Sequence, residues 1–322
     1  MAVRQGYGTF LVAALCLATW MLCGHAAAAV RLELKLDKGK TYYERSLIEQ
    51  KITQEVMGQQ QVINLAIGIG EKLDVLEVDQ QGNMRVRHTY IRSKFKQTGP
   101  MMAVDYDSAQ HATAPAGAEA FAALLGLSYT MRITPRGEVL DITGIEELAK
   151  TVREKAPNAD LSAQGNPVAA LLDAQTVKSM TENSLGVYPD RPVAPGDSWT
   201  RTRLTKQGTA MITQHQWTLQ KLEGGVATVS STSTLKPDPN GPPMEMQGMA
   251  MKLDLSGTQE STIQMAEKTG LMKTNEGHQM LKGQIRIGSS PQGPFDMMAI
   301  PMTIETKFMM EMGDRMWEKE AK

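Results

Sequence analysis

The chain has 322 residues and a formal net charge of −1 at pH 7, from 34 basic and 35 acidic residues. This near-neutral balance argues against nucleic acid as an electrostatic partner. The length permits one large or two medium domains and allows a sizeable apolar core without disulfides.

Residues 1–29 have the three parts of a secretory signal peptide. Arg4 gives the positive end, residues 10–22 form an apolar run, and residues 26–29 are alanines of the kind that precede cleavage. The apolar run is short for a spanning helix and no second one follows, so we expect an exported periplasmic or extracellular protein, soluble after cleavage, with no transmembrane span. Both cysteines lie in this segment, so the exported chain has none for disulfides or thiolate chemistry.

Alternating apolar residues predict an N-terminal antiparallel β region over residues 30–117. The predicted strands cover residues 30–36, 41–56, 61–78 and 84–97. The rest of this region, residues 99–117, has no regular pattern.

Residues 118–197 form the helical and turn-rich middle of the chain. An alanine- and leucine-rich helix is predicted at its start. Thr143 begins a capping-box pattern for the next helix, and Asn166 followed by Pro167 predicts the N-cap and first residue of another helix that runs on to Met180. Each helix has one apolar face and must pack on a sheet.

Residues 198–322 return to the strand pattern as a C-terminal antiparallel β region. The predicted strands cover residues 198–206, 209–222, 226–235, 246–266, 271–288 and 297–312. The whole chain therefore predicts a β-rich α+β fold, in which long twisted strands form a curved sheet or half-open barrel with short helices packed on one face. The pattern leaves open whether the two β regions are similar halves, and whether residues 30–322 form one domain.

The sequence contains no motif that predicts catalysis or a cofactor. The histidines after residue 29 are far apart and lack metal-ligand spacing. There is also no nucleophile elbow, Walker loop or dinucleotide fingerprint. We therefore predict a protein that is not an enzyme and needs no cofactor.

A basic run in the strand predicted at residues 84–97 is one candidate ligand site. Strand alternation puts Arg85 and Arg87 on one face and Arg92 and Lys94 on the other, and a bulge near residues 89–91 would bring them together. Such a patch suits anionic lipid or polysaccharide. The alternative is a solvated strand face on which lysine protects the edge.

Methionine is the strongest compositional anomaly, with 23 residues against 5 phenylalanines. Four of them follow an M-x-M-x-x-M-x-M spacing beside a proline-rich loop: Met244, Met246, Met249 and Met251. Three interpretations compete: adaptable core packing, the lining of a deformable apolar pocket, and binding of Cu(I) by thioethers.

Several turn and strand motifs resemble those of a family of exported bacterial proteins known only as a domain of unknown function. They are G-K-T-Y at 39–42, R-G-E-V-L-D-I-T-G at 136–144, P-D-R-P-V-A-P-G-D-S-W at 189–199 and T-G-L-M-K at 269–273. The resemblance implies a location in the bacterial envelope, and it supplies no catalytic residues.

These observations favour a non-enzymatic envelope protein that binds an apolar or amphipathic ligand, such as a lipid, between sheet and helices. Two alternatives remain at this point. The late methionines would make it a Cu(I)-binding periplasmic protein, and exposed strand edges would make it a structural module that pairs with an envelope protein.

Overall fold

The structure is a computed structural model that describes residues 29–100, 102–161, 167–205, 210–241, 243–246, 249–288 and 297–316. The predicted signal peptide, apart from its last residue, lies outside the described residues. So does the predicted helix cap Asn166.

One antiparallel sheet dominates the molecule, which confirms the predicted β-rich fold. Within the described ranges it has 13 strands. They are β1 Thr41–Val56, β2 Gln59–Val78, β3 Met84–Thr98, β4 Ala103–Asp107, β5 Ser128–Ile133, β6 Val139–Thr143, β7 Ser198–Thr205, β8 Met211–Glu223, β9 Val226–Pro237, β10 Met244–Met246, β11 Met249–Ala266, β12 Met272–Gly288 and β13 Met298–Gly313.

The strand order shows that the two predicted β regions share this sheet. It runs β6-β5-β3-β2-β1-β13-β12-β11-β9-β8-β7, with β4 paired to β3 and β10 paired to β11. Each region is a meander, and the two meanders join where β1 pairs with β13, for example Glu44 with Met312. The end strands β6 and β7 do not pair with each other in the described chain, so the sheet is not closed.

Four short helices occur in the described residues, all between β4 and β7. They are α1 Glu119–Ala123, α2 Ile145–Lys155, α3 Pro167–Leu171 and α4 Ala174–Leu185. The last three connect β6 to β7, which are the two ends of the sheet, so this helical connection runs from one edge to the other. None of the described helices has the length and apolar character needed to cross a bilayer.

The predicted start at Pro167 is confirmed, whereas the predicted cap of the preceding helix was wrong. The N-cap of α2 is Gly144, in the left-handed conformation at φ 91°, and no side chain caps this helix end. A left-handed backbone suits glycine, so the chain turns at Gly144 rather than at the predicted Thr143. The helix predicted from Pro167 to Met180 is instead two helices. Asp173 has an extended backbone and accepts a hydrogen bond from the N–H of Thr176 at 2.7 Å, which starts α4 afresh.

Residues 30–36 are not a sheet strand, although their alternation was read correctly as burial. Leu32, Leu34 and Leu36 are all buried. The N–H of Leu34 donates to Pro135 O at 2.8 Å, and the N–H of Lys35 donates to Thr269 O at 2.7 Å. Two separate turns thus take the hydrogen bonds that a neighbouring strand would need. Conversely, residues 99–117 were predicted to be irregular, but they contain the short strand β4.

Candidate ligand-binding site

A cavity of about 410 Å³ lies between one face of the sheet and the helices α3 and α4. Its sheet side, called the floor below, comes from β1, β2, β3, β5 and β13, and the segment before β1 adds Leu34 and Leu36. Most of the lining is apolar and includes Ile48, Ile67, Ile69, Leu73, Val86, Met131, Ile133, Leu171, Val177, Met180, Leu185, Met310 and Met312. Concave, mainly apolar spaces of this size are where proteins usually bind small molecules.

The helix α4 is fixed over the floor by a side chain that reaches both sheet edges. Glu182 Oε1 accepts a hydrogen bond from the N–H of Val139 on β6 at 3.1 Å. Its other oxygen pairs with Arg203 Nη1 on β7 at 3.4 Å. After the helix, Trp199 Nε1 donates to Val187 O at 2.8 Å, and Tyr188 Oη donates to Gly270 O at 2.8 Å. The cover of the cavity is therefore tied to the sheet by directional bonds.

Two carboxyl groups face each other on the floor. Glu44 on β1 stands opposite Glu71 on β2 in the antiparallel register. Side chains in such positions have Cβ atoms about 4.5–5.5 Å apart, and like charges there destabilise the pair. Both side chains line the cavity, which accounts for the residual exposure of Glu44.

His88 on β3 contacts one member of this pair. Its Nδ1 lies 2.8 Å from Glu71 Oε2, and both side chains are nearly buried. The imidazole also stacks on Tyr129 with ring centroids 4.9 Å apart and planes 12° apart. A histidine held by these two contacts has a fixed orientation.

Burial and the opposing carboxylate control the protonation of this cluster. Desolvation, assisted by the charge of Glu71, raises the pKa of Glu44 to about 7, while His88 acts in the other direction. Burial, again with the charge of Glu71, raises the pKa of Tyr90 and of Tyr129 well above their usual range. The raised pKa favours the protonated form of Glu44, and both tyrosines keep their hydroxyl protons.

One nitrogen of the cluster, Nε2 of His88, is buried without a hydrogen-bond partner in the described part of the chain. The hydroxyl groups of Tyr90 and Tyr129 interact with each other, and Tyr90 is 1% exposed. Buried polar groups in native proteins are nearly always satisfied, so the unpaired nitrogen of His88 is an exception.

The predicted basic patch lies on the other side of the sheet. The predicted bulge is present, because Tyr90 pairs with Glu71 and Arg92 with Gly70, which leaves Ile91 as an extra residue. Register then puts Arg87, Arg92 and Lys94 opposite even-numbered residues of β2, whereas the cavity is lined by odd-numbered ones; Arg85 shares the face of Arg87. The bulge thus gathers the four cations on one face, away from the cavity.

Part of that basic face is already neutralised. Arg92 pairs with Asp107 at 3.3 Å and Lys96 pairs with Asp105 at 2.7 Å, both acids lying on β4. Arg85 and Arg87 are exposed. Ligand binding by this patch remains a prediction.

The four predicted copper ligands lie in one hairpin. The register places Met244 opposite Met251, and Met246 opposite Met249. Met249 is 37% exposed. No cluster of three or more His, Cys, Asp or Glu suited to a metal occurs in the described ranges.

A broader depression of about 630 Å³ is the main alternative position for a ligand site. It is lined mostly by polar side chains, among them Glu49, Lys51, Lys96 and His278. Lys51 pairs with Glu305 at 3.6 Å, and both side chains are about half exposed. Exposed ion pairs of this kind are typical of a solvated sheet surface. We therefore assign the candidate site to the cavity under α4.

Comparison with known protein families identifies the chain. Residues 81–272 match the model of DUF6263, a family of unknown function. The chain belongs to this family. The resemblance to a family of unknown function is thereby confirmed, and membership in DUF6263 assigns no activity. No curated protein matches the chain by sequence.

Solved structures give only distant likenesses. Lipovitellin, from a structure titled for lipid–protein interactions, is 12% identical with a TM-score of 0.49; the match covers 89% of this chain and 27% of lipovitellin. The β domain of the Bordetella autotransporter BrkA is 7% identical with a TM-score of 0.20, covering 84% and 98%. The translocator domain of the autotransporter NalP from Neisseria meningitidis is 6% identical with a TM-score of 0.18, covering 86% and 90%. The chain spans about a quarter of the length of lipovitellin, and at these TM-scores no functional inference follows.

The sequence analysis missed the floor cluster, although a signal for it existed. On β2 the alternating face that holds Ile67 and Ile69 continues to Glu71 and Leu73. On β3 the buried face runs Met84, Val86, His88, Tyr90. A lone charged residue at an apolar-face position indicates a buried polar site, even when the other residues of that site are far away in sequence.

Proposed function

We propose that the protein binds an apolar or amphipathic ligand, such as a lipid, in the cavity between the sheet and helices α3 and α4. The observation that carries the proposal is the partly enclosed, mainly apolar space of about 410 Å³ under α4. Ligand pockets typically have about 300–1,000 Å³ and a largely apolar lining with a few polar groups, and this cavity has those properties.

The proposal includes export to the bacterial periplasm or the extracellular space. Support comes from residues 1–29, which have the charge, the apolar run and the alanines of a signal peptide. A carrier of apolar molecules has an evident use in that compartment, because such ligands cannot cross water unaided.

The binding test uses N-phenyl-1-naphthylamine, an uncharged apolar dye that fluoresces in apolar surroundings. Ala170 on α3 lines the cavity and Ala174 at the start of α4 is exposed. Ala170→Phe fills the space, while Ala174→Phe makes the same substitution outside it. We expect saturable binding to the wild type and to Ala174→Phe, and at least tenfold weaker binding to Ala170→Phe. Absence of saturable binding, or equal binding by all three proteins, would overturn the proposal.

Copper binding is the second candidate function, and the hairpin register favours it. Four methionines that are spread over eight residues become two opposed pairs on β10 and β11. Thioethers are soft ligands that select Cu(I). Titration of Cu(I) into the wild type and into a variant with all four changed to Leu gives the answer: a loss of affinity in the variant supports the site, and equal affinities remove it.

A further inference from the structure

We infer that the ligand of the cavity carries a cationic amine head group, which binds between Glu44 and Glu71 on the floor. This inference rests on the proposed function and names the class of ligand. It follows from the charges that line the floor and from the hydrogen-bond roles of its two carboxyl groups.

The charge on the floor is negative or neutral and never strongly positive. The titratable groups that line the cavity are Glu44 of β1, Glu71 of β2, His88 and Tyr90 of β3, and Tyr129 of β5. The described parts of β13, α3, α4 and the segment before β1 add no charged side chain, and no lysine or arginine lines the space. A ligand with a carboxylate or phosphate head would therefore meet two glutamates with only one histidine to offset them.

Placing two carboxyl groups opposite each other in an apolar cavity costs stability unless something bridges them. His88 contacts Glu71 at 2.8 Å, and no ion pair or hydrogen bond of Glu44 with a protein group occurs in the described chain. Without a ligand, burial and then the charge of Glu71 raise the pKa of Glu44, and a proton on Glu44 removes the repulsion. A cation between the two carboxylates would do the same and would release that proton.

Hydrogen-bond roles narrow the cation to an ammonium. The Glu44 and Glu71 carboxylates are hydrogen-bond acceptors when they are ionised. A primary ammonium has three N–H donors and no acceptor, so it complements this set, whereas an alcohol has a single donor. The apolar lining takes the chain of the same molecule.

The test compares three ligands with the same apolar chain as competitors of N-phenyl-1-naphthylamine, each below its aggregation concentration. They are dodecylamine, dodecanol and dodecanoate. Glu44→Gln removes the carboxylate with little change in shape. Glu49→Gln is the matched control, because Glu49 lies on the same strand and outside the cavity lining.

We expect dodecylamine to displace the dye at concentrations at least tenfold below those of the other two ligands. Glu44→Gln should weaken dodecylamine at least tenfold and change the binding of dodecanol and the dye by less than about threefold, and Glu49→Gln should change neither. The wild-type affinity for dodecylamine should also rise between pH 6 and pH 8, and that rise should vanish in Glu44→Gln.

The possible failures are distinguishable. If the dye binds but dodecylamine has no advantage, or keeps it in Glu44→Gln, the amine inference is overturned while the cavity proposal stands. If dodecanoate is the best competitor, the cavity binds an anionic lipid and the inference is again overturned. If the dye does not bind at all, the proposed function fails and the inference fails with it.

Discussion

Glu182 on α4 and Arg203 on β7 form an ion pair of 3.4 Å, and both side chains are largely buried. The second carboxylate oxygen accepts the N–H of Val139 on β6, so one side chain joins the two open ends of the sheet. The ion pair and this hydrogen bond therefore connect α4 to both edge strands, although β6 and β7 do not pair with each other in the described chain. It makes α4 part of the sheet's edge structure rather than a loosely attached helix.

Removal of this link should destabilise the whole protein. Glu182→Ala leaves the Val139 N–H and the Arg203 guanidinium without their acceptor, which should lower the free energy of unfolding by about 2–3 kcal/mol. Urea denaturation of the purified variant measures it. Glu223→Ala is the control, because its pair with Lys221 is exposed and should contribute under about 0.5 kcal/mol. Equal, small effects of the two substitutions would show that the Glu182 link does not hold α4.

The hydroxyl of Tyr188 should contribute measurably to stability. Tyr188 is fully buried, and its hydroxyl donates to the Gly270 carbonyl in the turn between β11 and β12. Tyr188→Phe removes the donor and leaves a carbonyl unsatisfied, for an expected loss of about 1–2 kcal/mol by urea denaturation. Tyr43→Phe serves as the comparison, since the hydroxyl of Tyr43 has no hydrogen bond in the described chain. A loss no larger than that of Tyr43→Phe would contradict the assigned role.

Glu44 should make the protein less stable as the pH rises. Its pKa increases from 4.5 to about 7 on folding, so the folded state holds the proton more tightly. The stability that this gives is complete below pH 4.5 and is lost as the pH rises through 7, which corresponds to about 3 kcal/mol. Glu44→Gln should match the wild type at pH 4.5 and exceed its unfolding free energy by that amount at pH 8. Parallel pH profiles for the two proteins would refute the raised pKa.

His215 should behave in the opposite sense. Burial, reinforced by Arg203 and Arg201, lowers its pKa to about 4, and the ring bonds Ser233 Oγ at 2.8 Å. Its contribution to stability is present above pH 6.5 and is lost as the pH falls towards 4. Histidine NMR titration should find the His215 midpoint near 4 in the folded protein and near 6.5 in urea. A folded midpoint above 6 would show that the ring is solvated.

Most strand positions were predictable from the sequence, because long runs of alternating apolar and polar residues end at turns rich in glycine, proline, aspartate and asparagine. Distant partners were not predictable in the same way. The pairing of β1 with β13 joins residues such as Thr53 and Thr303, and nothing in either strand encodes that register. Residues 30–36 show the same gap, since alternation reveals which side is buried but not which groups take the backbone hydrogen bonds.

The site was less predictable than the fold for a related reason. Glu44, Glu71 and His88 lie on three strands and meet only when the strands pair. Each looks like an ordinary polar residue in its own strand. The methionine hairpin was easier to anticipate, because its four residues are close in sequence and need a single turn to come together.

The proposed function requires that a ligand binds in the cavity under α4. Native mass spectrometry of the protein, purified gently from a bacterial envelope, tests it directly. We expect a second species heavier than the bare chain by the mass of one amphipathic molecule, present in the wild type and in Ala174→Phe and lost in Ala170→Phe. A single species at the mass of the bare chain, or equal added mass in all three proteins, would contradict it.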